Sequence, residues 1–131
     1  EYWDCTPLDM VKEFAQCMDH PLDEKWRFNS DLENLRYRLI AEEFGEVSDE
    51  SDAGNRPAAM LKELADLVYV TYGYAASFGW DLDEAVRLVH VSNMSKLGPD
   101  NKPLKRPDGK VLKGPNYKKP DLTDLVLREQ T

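Results

Sequence analysis

Four segments of this chain carry apolar residues at every third or fourth position, and in two of them the apolar line runs on into carboxylates. Residues three and four apart share one face of an α-helix, so this spacing predicts helices. The stretches IAEEFGEV at 40–47 and ELADLVYV at 63–70 then place Glu43, Glu46, Glu63 and Asp66 where a helix would turn its core face. A soluble chain needs a reason to put acids there.

The ends of the helices can be read from their punctuation. Thr6 before Pro7 is a cap and first-turn signal. Leu8, Val11, Phe14, Ala15 and Met18 then recur at helical spacing, which predicts a first helix over about 7–18. His20-Pro21 stops it, and 20–29, with Trp26 and Phe28, reads as an irregular loop. Ser30 and Glu33 form a capping box for a second helix, whose stripe of Leu32, Leu35, Leu39, Glu43, Glu46 and Val47 runs to about 49. The polar stretch 49–57 is a loop. A third helix runs from Pro57, with Asn55 as its candidate cap, to about Phe78, carrying Leu61, Leu64, Leu67, Val68, Thr71 and Ala75 on its stripe. Gly79 ends it. Asp81 and Glu84 open a fourth helix to about Ser95.

Beyond Gly98 the character changes. The turn sequences PDNK at 99–102 and PDGK at 107–110 predict a small β-hairpin over about 103–113. GPNY at 114–117 is irregular, and Asp121 caps a last helical turn through Leu125. The chain is thus expected to fold as an all-α, four-helix-type bundle with a hairpin-bearing tail. Helices two and three should be antiparallel neighbours, because the loop between them is short. One domain is expected over 1–131, with a helical body at 6–96 and the tail at 97–131.

With 131 residues, 41% hydrophobic and 32% charged, the chain has globular composition. No apolar stretch approaches the ~18 residues of a membrane span, and the opening EYWDCTPLDM lacks signal-peptide character, so a cytoplasmic protein is expected. Cys5 and Cys17 would lie ~18 Å apart along one helix, beyond disulfide reach; two free thiols suit a reducing compartment. A net charge of −8 argues against nucleic acid as a partner. The charge is uneven. Residues 1–95 hold 8 Lys/Arg against 20 Asp/Glu, a net of −12, and residues 96–119 hold 8 against 2, a net of +6.

On their helices Glu43 and Glu46 are neighbours, as are Glu63 and Asp66, and antiparallel packing brings the two pairs to similar depth. Two like charges ~4 Å apart repel by ~4 kcal/mol at an effective dielectric of 20. Protonation or a cation must relieve that repulsion. An all-oxygen ligand set suits Mg2+ or Mn2+ rather than zinc, and magnesium commonly couples carboxylates to substrate phosphates. The alternative is a solvated acidic face. Other metal sites fit less well. The only histidines, His20 and His90, lack the Glu-x-x-His spacing of helical di-iron sites, and an EF-hand begun at Asp49 would put Ala53 and Met60 in ligand positions.

Glu42-Glu43-x-x-Glu46, then sixteen residues, then Glu63-x-x-Asp66, resembles the motif of the all-α NTP pyrophosphatases, the MazG-like superfamily. The tail NMSKLGPDNKPLKRPDGKVLKGPNYKKPDL is similar to that of short single-domain bacterial and phage members. The resemblance implies hydrolysis of a nucleoside triphosphate between its α- and β-phosphates, with Mg2+ held by Glu43, Glu46, Glu63 and Asp66. It implies Glu42 as general base or as a hydrogen-bonding support of the attacking water. Asn93 and Lys96 match a substrate-contacting Asn-x-x-Lys, although a cation at a helix C-terminus has its own reason to be there. Tyr69 shares the carboxylate face and is a candidate nucleotide contact or a buried tyrosine. Trp26 and Phe28 are candidate base-stacking residues or loop anchors. The basic tail either folds over the acidic cleft once a triphosphate is present or lies on an acidic body. A homodimer or homotetramer is implied, in the host cytoplasm if the chain is phage-encoded. Two rivals share these residues: phosphoribosyl-ATP pyrophosphohydrolysis, and a non-enzymatic bundle that binds divalent cations or a partner chain.

Overall fold

The structure is a computed structural model that describes residues 1–127. Its elements are α1 (Pro7–Cys17), α2 (Asp31–Ala53), α3 (Pro57–Ser77), α4 (Leu82–Met94), a single 3-10 turn (Pro99–Asn101) and the short α5 (Asp124–Leu127). Among the described residues there is no strand, so the all-α class holds. The described residues form two compact units, dividing between Leu82 and Asp83.

In the first unit α2 and α3 pack along their length, and α1 packs on α3. α1 starts at a full capping box: the Thr6 hydroxyl accepts from the Asp9 N–H and the Asp9 carboxylate accepts from the Thr6 N–H. α2 is capped by half of the expected box. The Ser30 hydroxyl accepts from the Glu33 N–H at 3.2 Å, but the Glu33 carboxylate accepts from Asn29 N–H and from the Tyr74 hydroxyl. α2 also runs four residues past the expected end, to Ala53, and stops at Gly54 with φ of 71°. Asn55 is not the cap of α3. It takes a left-handed φ of 56°, and Arg56 stands at the cap position without a side-chain capping bond. Arg56 instead closes the corner through Glu50, 2.7 Å away.

The apolar core is small and lies at one end. Leu8, Val11, Tyr72 and Ala76 form it, with Leu22 and Leu82 against them, and Phe78 is fully buried beside Tyr74 and Trp80. Trp26 ties the 20–29 loop to this end: its indole N–H donates to the Tyr74 hydroxyl at 2.9 Å. The expected stripe on α3 is split: Ala75 is buried and Leu67 and Thr71 are half-buried, but its other members are turned away from the core. Leu61 is 68% exposed, and Leu64 and Val68 are also exposed. The eleven-residue α1 is ~16 Å long and α3, with 21 residues, ~31 Å, so α1 cannot cover that face. An open apolar groove of about 380 Å³ remains between Pro7, Met10, Leu61, Leu64, Val68 and Tyr72.

In the second unit the tail closes onto the end of α4. The Ser92 hydroxyl donates to the Lys118 carbonyl at 2.7 Å, and the Ser95 hydroxyl accepts from the Lys118 N–H at 3.0 Å. Gly114 donates to the Lys96 carbonyl, and a Cβ there would stand 2.3 Å from the Leu97 oxygen, so only glycine fits. The expected hairpin is reduced to one antiparallel bridge, Lys105 to Val111, around a turn whose Gly109 has φ of 87°. Its residues are all exposed, and a ribbon with no face to bury does not extend.

Candidate metal centre

α2 and α3 are antiparallel in one register. Arg36 meets Gly73, and seven residues further along α2 and seven back along α3, Glu43 meets Asp66. Because two helical turns of seven residues return to nearly the same face, both meetings lie on a single seam. Where the seam leaves the apolar core, it carries acids.

One carboxylate oxygen each from Glu43, Glu63 and Asp66 lies within 4.8 Å of the others. Glu63 is buried and Glu43 and Asp66 are half-buried. Glu63 Oε2 is buried and accepts no hydrogen bond. A buried carboxylate oxygen without a partner is costly, and a cation would supply that partner. Burial pushes the Glu43 carboxyl above the usual carboxylate range, and the charges of Asp66 and Glu63 push it the same way. The residues therefore fit a hard divalent cation held by oxygen ligands.

Lys62 is the present counter-charge. Its Nζ lies 2.7 Å from Asp66 Oδ2 and 3.2 Å from Glu63 Oε1. Hydrogen bonds to Asp66 and Glu63 push its pKa up. Sequence reasoning missed this residue, although its spacing of four from Asp66 is the signal of a helical ion pair.

The other expected site residues are placed as follows. Glu46 is exposed and outside the group of three, but close enough that its charge adds to the upward push on Glu43. Glu42 is exposed and also outside the group. Tyr69 packs edge-on against Phe14 of α1, with ring centroids 5.7 Å apart. Asn93 is exposed and Lys96 half-buried, both in the second unit just before the tail. Trp26 is a loop anchor, as its bond to Tyr74 shows, while Phe28 remains exposed.

The family model for phosphoribosyl-ATP pyrophosphohydrolase matches residues 11–93. The chain belongs to that family. It is a member of the MazG-like all-α NTP pyrophosphatase superfamily, and thus a nucleotide pyrophosphohydrolase, a hydrolase of phosphoric anhydrides. No curated protein matches it. The family is typically divalent-cation dependent, which agrees with the carboxylate group and its orphaned oxygen. The matched span includes Glu42, Glu43, Glu46, Glu63, Asp66, Tyr69 and Asn93, and ends three residues before Lys96. Among the described residues no helix is long and apolar enough to cross a membrane.

Proposed function

We propose that this pyrophosphohydrolase is a Mg2+-dependent enzyme that cleaves a nucleoside triphosphate between its α- and β-phosphates, giving the monophosphate and pyrophosphate. The observation that carries the reading is the Glu43–Glu63–Asp66 group with its unpartnered Glu63 oxygen, in a chain of this family. Glu43, Glu63 and Asp66 would hold Mg2+ or Mn2+, with Glu46 joining from the next turn of α2. Bound there, the ion supplies neutralisation of phosphate charge and activation of water. Glu42 accepts the proton of the attacking water. Asn93 donates to the substrate, and Lys96 pairs with the polyphosphate. Lys62, whose side chain is exposed, would yield its contacts with Asp66 and Glu63 to a cation held there. The matched residues cross the division between the two compact units, which supports one functional domain.

A homodimer is the assembly we propose, since a second copy is the simplest cover for Leu61, Leu64 and Val68. A cytoplasmic location accords with the free thiols of Cys5 and Cys17. Phosphoribosyl-ATP as substrate is the second reading, and the family's description favours it. A panel of ribo- and deoxyribonucleoside triphosphates and phosphoribosyl-ATP, assayed for pyrophosphate release with and without Mg2+, separates the two. Release from no member of the panel would refute both.

A further inference from the structure

Further along the α2–α3 seam lies a charge that the carboxylate group does not use. Arg36 is only 8% exposed, and it and Glu33 are the buried residues of α2. Arg36 Nε is buried without a hydrogen-bond partner. Among the described residues no carboxylate forms an ion pair with it. Glu33, one turn before it, is engaged elsewhere, accepting from Asn29 N–H and the Tyr74 hydroxyl at 3.3 Å each. Burial pushes the Arg36 pKa down, and no neighbouring charge acts against that. Guanidinium nonetheless stays protonated in proteins, so a charged group sits in this buried place with no ion-pair partner and with its Nε unbonded.

The surroundings make room for an anion. A cavity of about 120 Å³ at the junction of α1, α2 and α3 has a mostly apolar lining, with Arg36, His20 and Tyr69 among the residues that bound it. It has room for several waters or one small oxyanion. Gly73 keeps the space for the guanidinium: a Cβ there would stand 3.1 Å from Arg36 Nη1. His20 and Phe14 are exposed and mark the mouth. His20 and Tyr69, which is also exposed, are the other residues of the lining with polar side-chain atoms.

We propose that Arg36 is the centre of an oxyanion site whose ligand is a phosphate group. The choice of phosphate rests on the pyrophosphohydrolase reading, since such a chain meets phosphates as substrate and product, and the guanidinium fork matches them. The site is separate from the carboxylates. Arg36 and Glu43 are seven residues apart on α2, ~10 Å along the seam. Two sources have the same chemistry: a phosphate of the bound nucleotide, and free inorganic phosphate.

The test uses the full chain in EDTA, without divalent cation, titrated with inorganic phosphate by calorimetry and thermal melting. Wild type should bind phosphate saturably and melt several degrees higher at saturation. Arg36→Gln should bind at least ~10-fold more weakly, as expected where a charged hydrogen-bond donor is lost. It should melt at or above wild type when phosphate is absent, because an unpaired buried charge is gone. Gly73→Ala should weaken phosphate too, and it decides the matter together with the wild-type titration if Arg36→Gln does not fold. Glu63→Gln should keep wild-type phosphate affinity in EDTA, so a failure of the metal-site reading would leave this result standing. With Mg2+ and a nucleotide, phosphate that raises the apparent KM of wild type, and does so far less in Arg36→Gln, assigns the site to a substrate phosphate. Phosphate that changes kcat alone assigns it to the free ion. No saturable binding to metal-free wild type, or wild-type affinity in both Arg36→Gln and Gly73→Ala, overturns the proposal.

Discussion

Glu63→Gln should make the metal-free protein more stable and the enzyme nearly inactive. Glu63 is 9% exposed, one of its oxygens is orphaned, and the other meets Lys62. At the 4.8 Å limit of the group, each of its repulsions, from Glu43 and from Asp66, costs about 3.5 kcal/mol at an effective dielectric of 20 and about 0.9 kcal/mol in water. Lys62 offsets part of this, but its side chain is 68% exposed, and water screens it more than the buried acids. The amide also gives the orphaned position a donor that can reach a neighbouring carboxylate. A net gain of about 1 kcal/mol follows, which is a rise of about 3–5 °C in Tm for a chain of this size. In Mg2+ the order reverses. Wild type should gain about 2.7 kcal/mol when the ion is at 100 times its Kd, and the variant should lose most of that. Pyrophosphate release should fall by at least ~100-fold, the upper range for groups that only support a ligand. The assays are thermal melts in EDTA and in Mg2+, and initial rates on a responsive nucleotide. Near-wild-type turnover, or equal stabilisation by Mg2+, would refute the reasoning.

Four further outcomes are expected. Because the Glu43 carboxyl is raised in the folded state, the folded protein binds that proton more tightly, so metal-free stability should fall as pH rises from about 4.5 through the raised value; melts in EDTA across that range should show the slope, and Glu43→Gln should remove it. Lys62→Ala should lower the metal-free Tm and tighten Mg2+ binding severalfold, since the ion no longer displaces a cation; calorimetry checks it. Phe78→Ala, at a site with 0% exposure, should cost about 3–5 kcal/mol in urea unfolding. Leu64→Glu should shift the sedimentation of the protein toward the 15.1 kDa monomer without lowering its helix content, and an unchanged sedimentation coefficient would remove that face from the assembly.

The helices were legible because caps and apolar spacing are local. Thr6-Pro7, Ser30 and Pro57 stand at or beside the starts of α1, α2 and α3. The end of α2 was not, since Asp49–Ala53 is polar and exposed apart from half-buried Glu50 and carries no periodicity to read. Of the four acids that the spacings of three on α2 and α3 single out, Glu43, Glu63 and Asp66 lie together, and Glu46 lies outside the group. How much of the α3 stripe faces inward was not legible. The whole stripe reads as core, and Ala75 is buried with Leu67 and Thr71 half-buried, but Leu61, Leu64 and Val68 are exposed while Glu63, Gly73 and Ala76 are buried. Glu33 looked like a cap partner, and its bond to Tyr74, 41 positions away, has no signature in the sequence. Nothing in the sequence singles out Arg36, whose burial depends on the packing of Gly73 from α3 against its guanidinium.

The exposed residues of the α3 stripe and the acids on the seam are one fact seen from two sides. Buried Glu63 and half-buried Glu43 and Asp66 take places on the seam that apolar side chains would otherwise fill. Leu61, Leu64 and Val68 lie on the outer face of α3, where α1 borders them through Pro7 and Met10 without covering them. The first unit therefore has little apolar burial holding α2 to α3 at the carboxylate end, and charge repulsion acting against it. Two additions would correct both deficits. A cation between Glu43, Glu63 and Asp66 would convert repulsion into attraction at the seam, and a second copy over Leu61, Leu64 and Val68 would bury those side chains. The two additions act on opposite faces of the same helix, so they should be coupled. Mg2+ should tighten self-association of wild type, and should not do so in Glu63→Gln. Sedimentation of both proteins across a range of concentrations, in EDTA and in Mg2+, measures this directly. Equal tightening in the two proteins would show that the face and the seam are energetically independent.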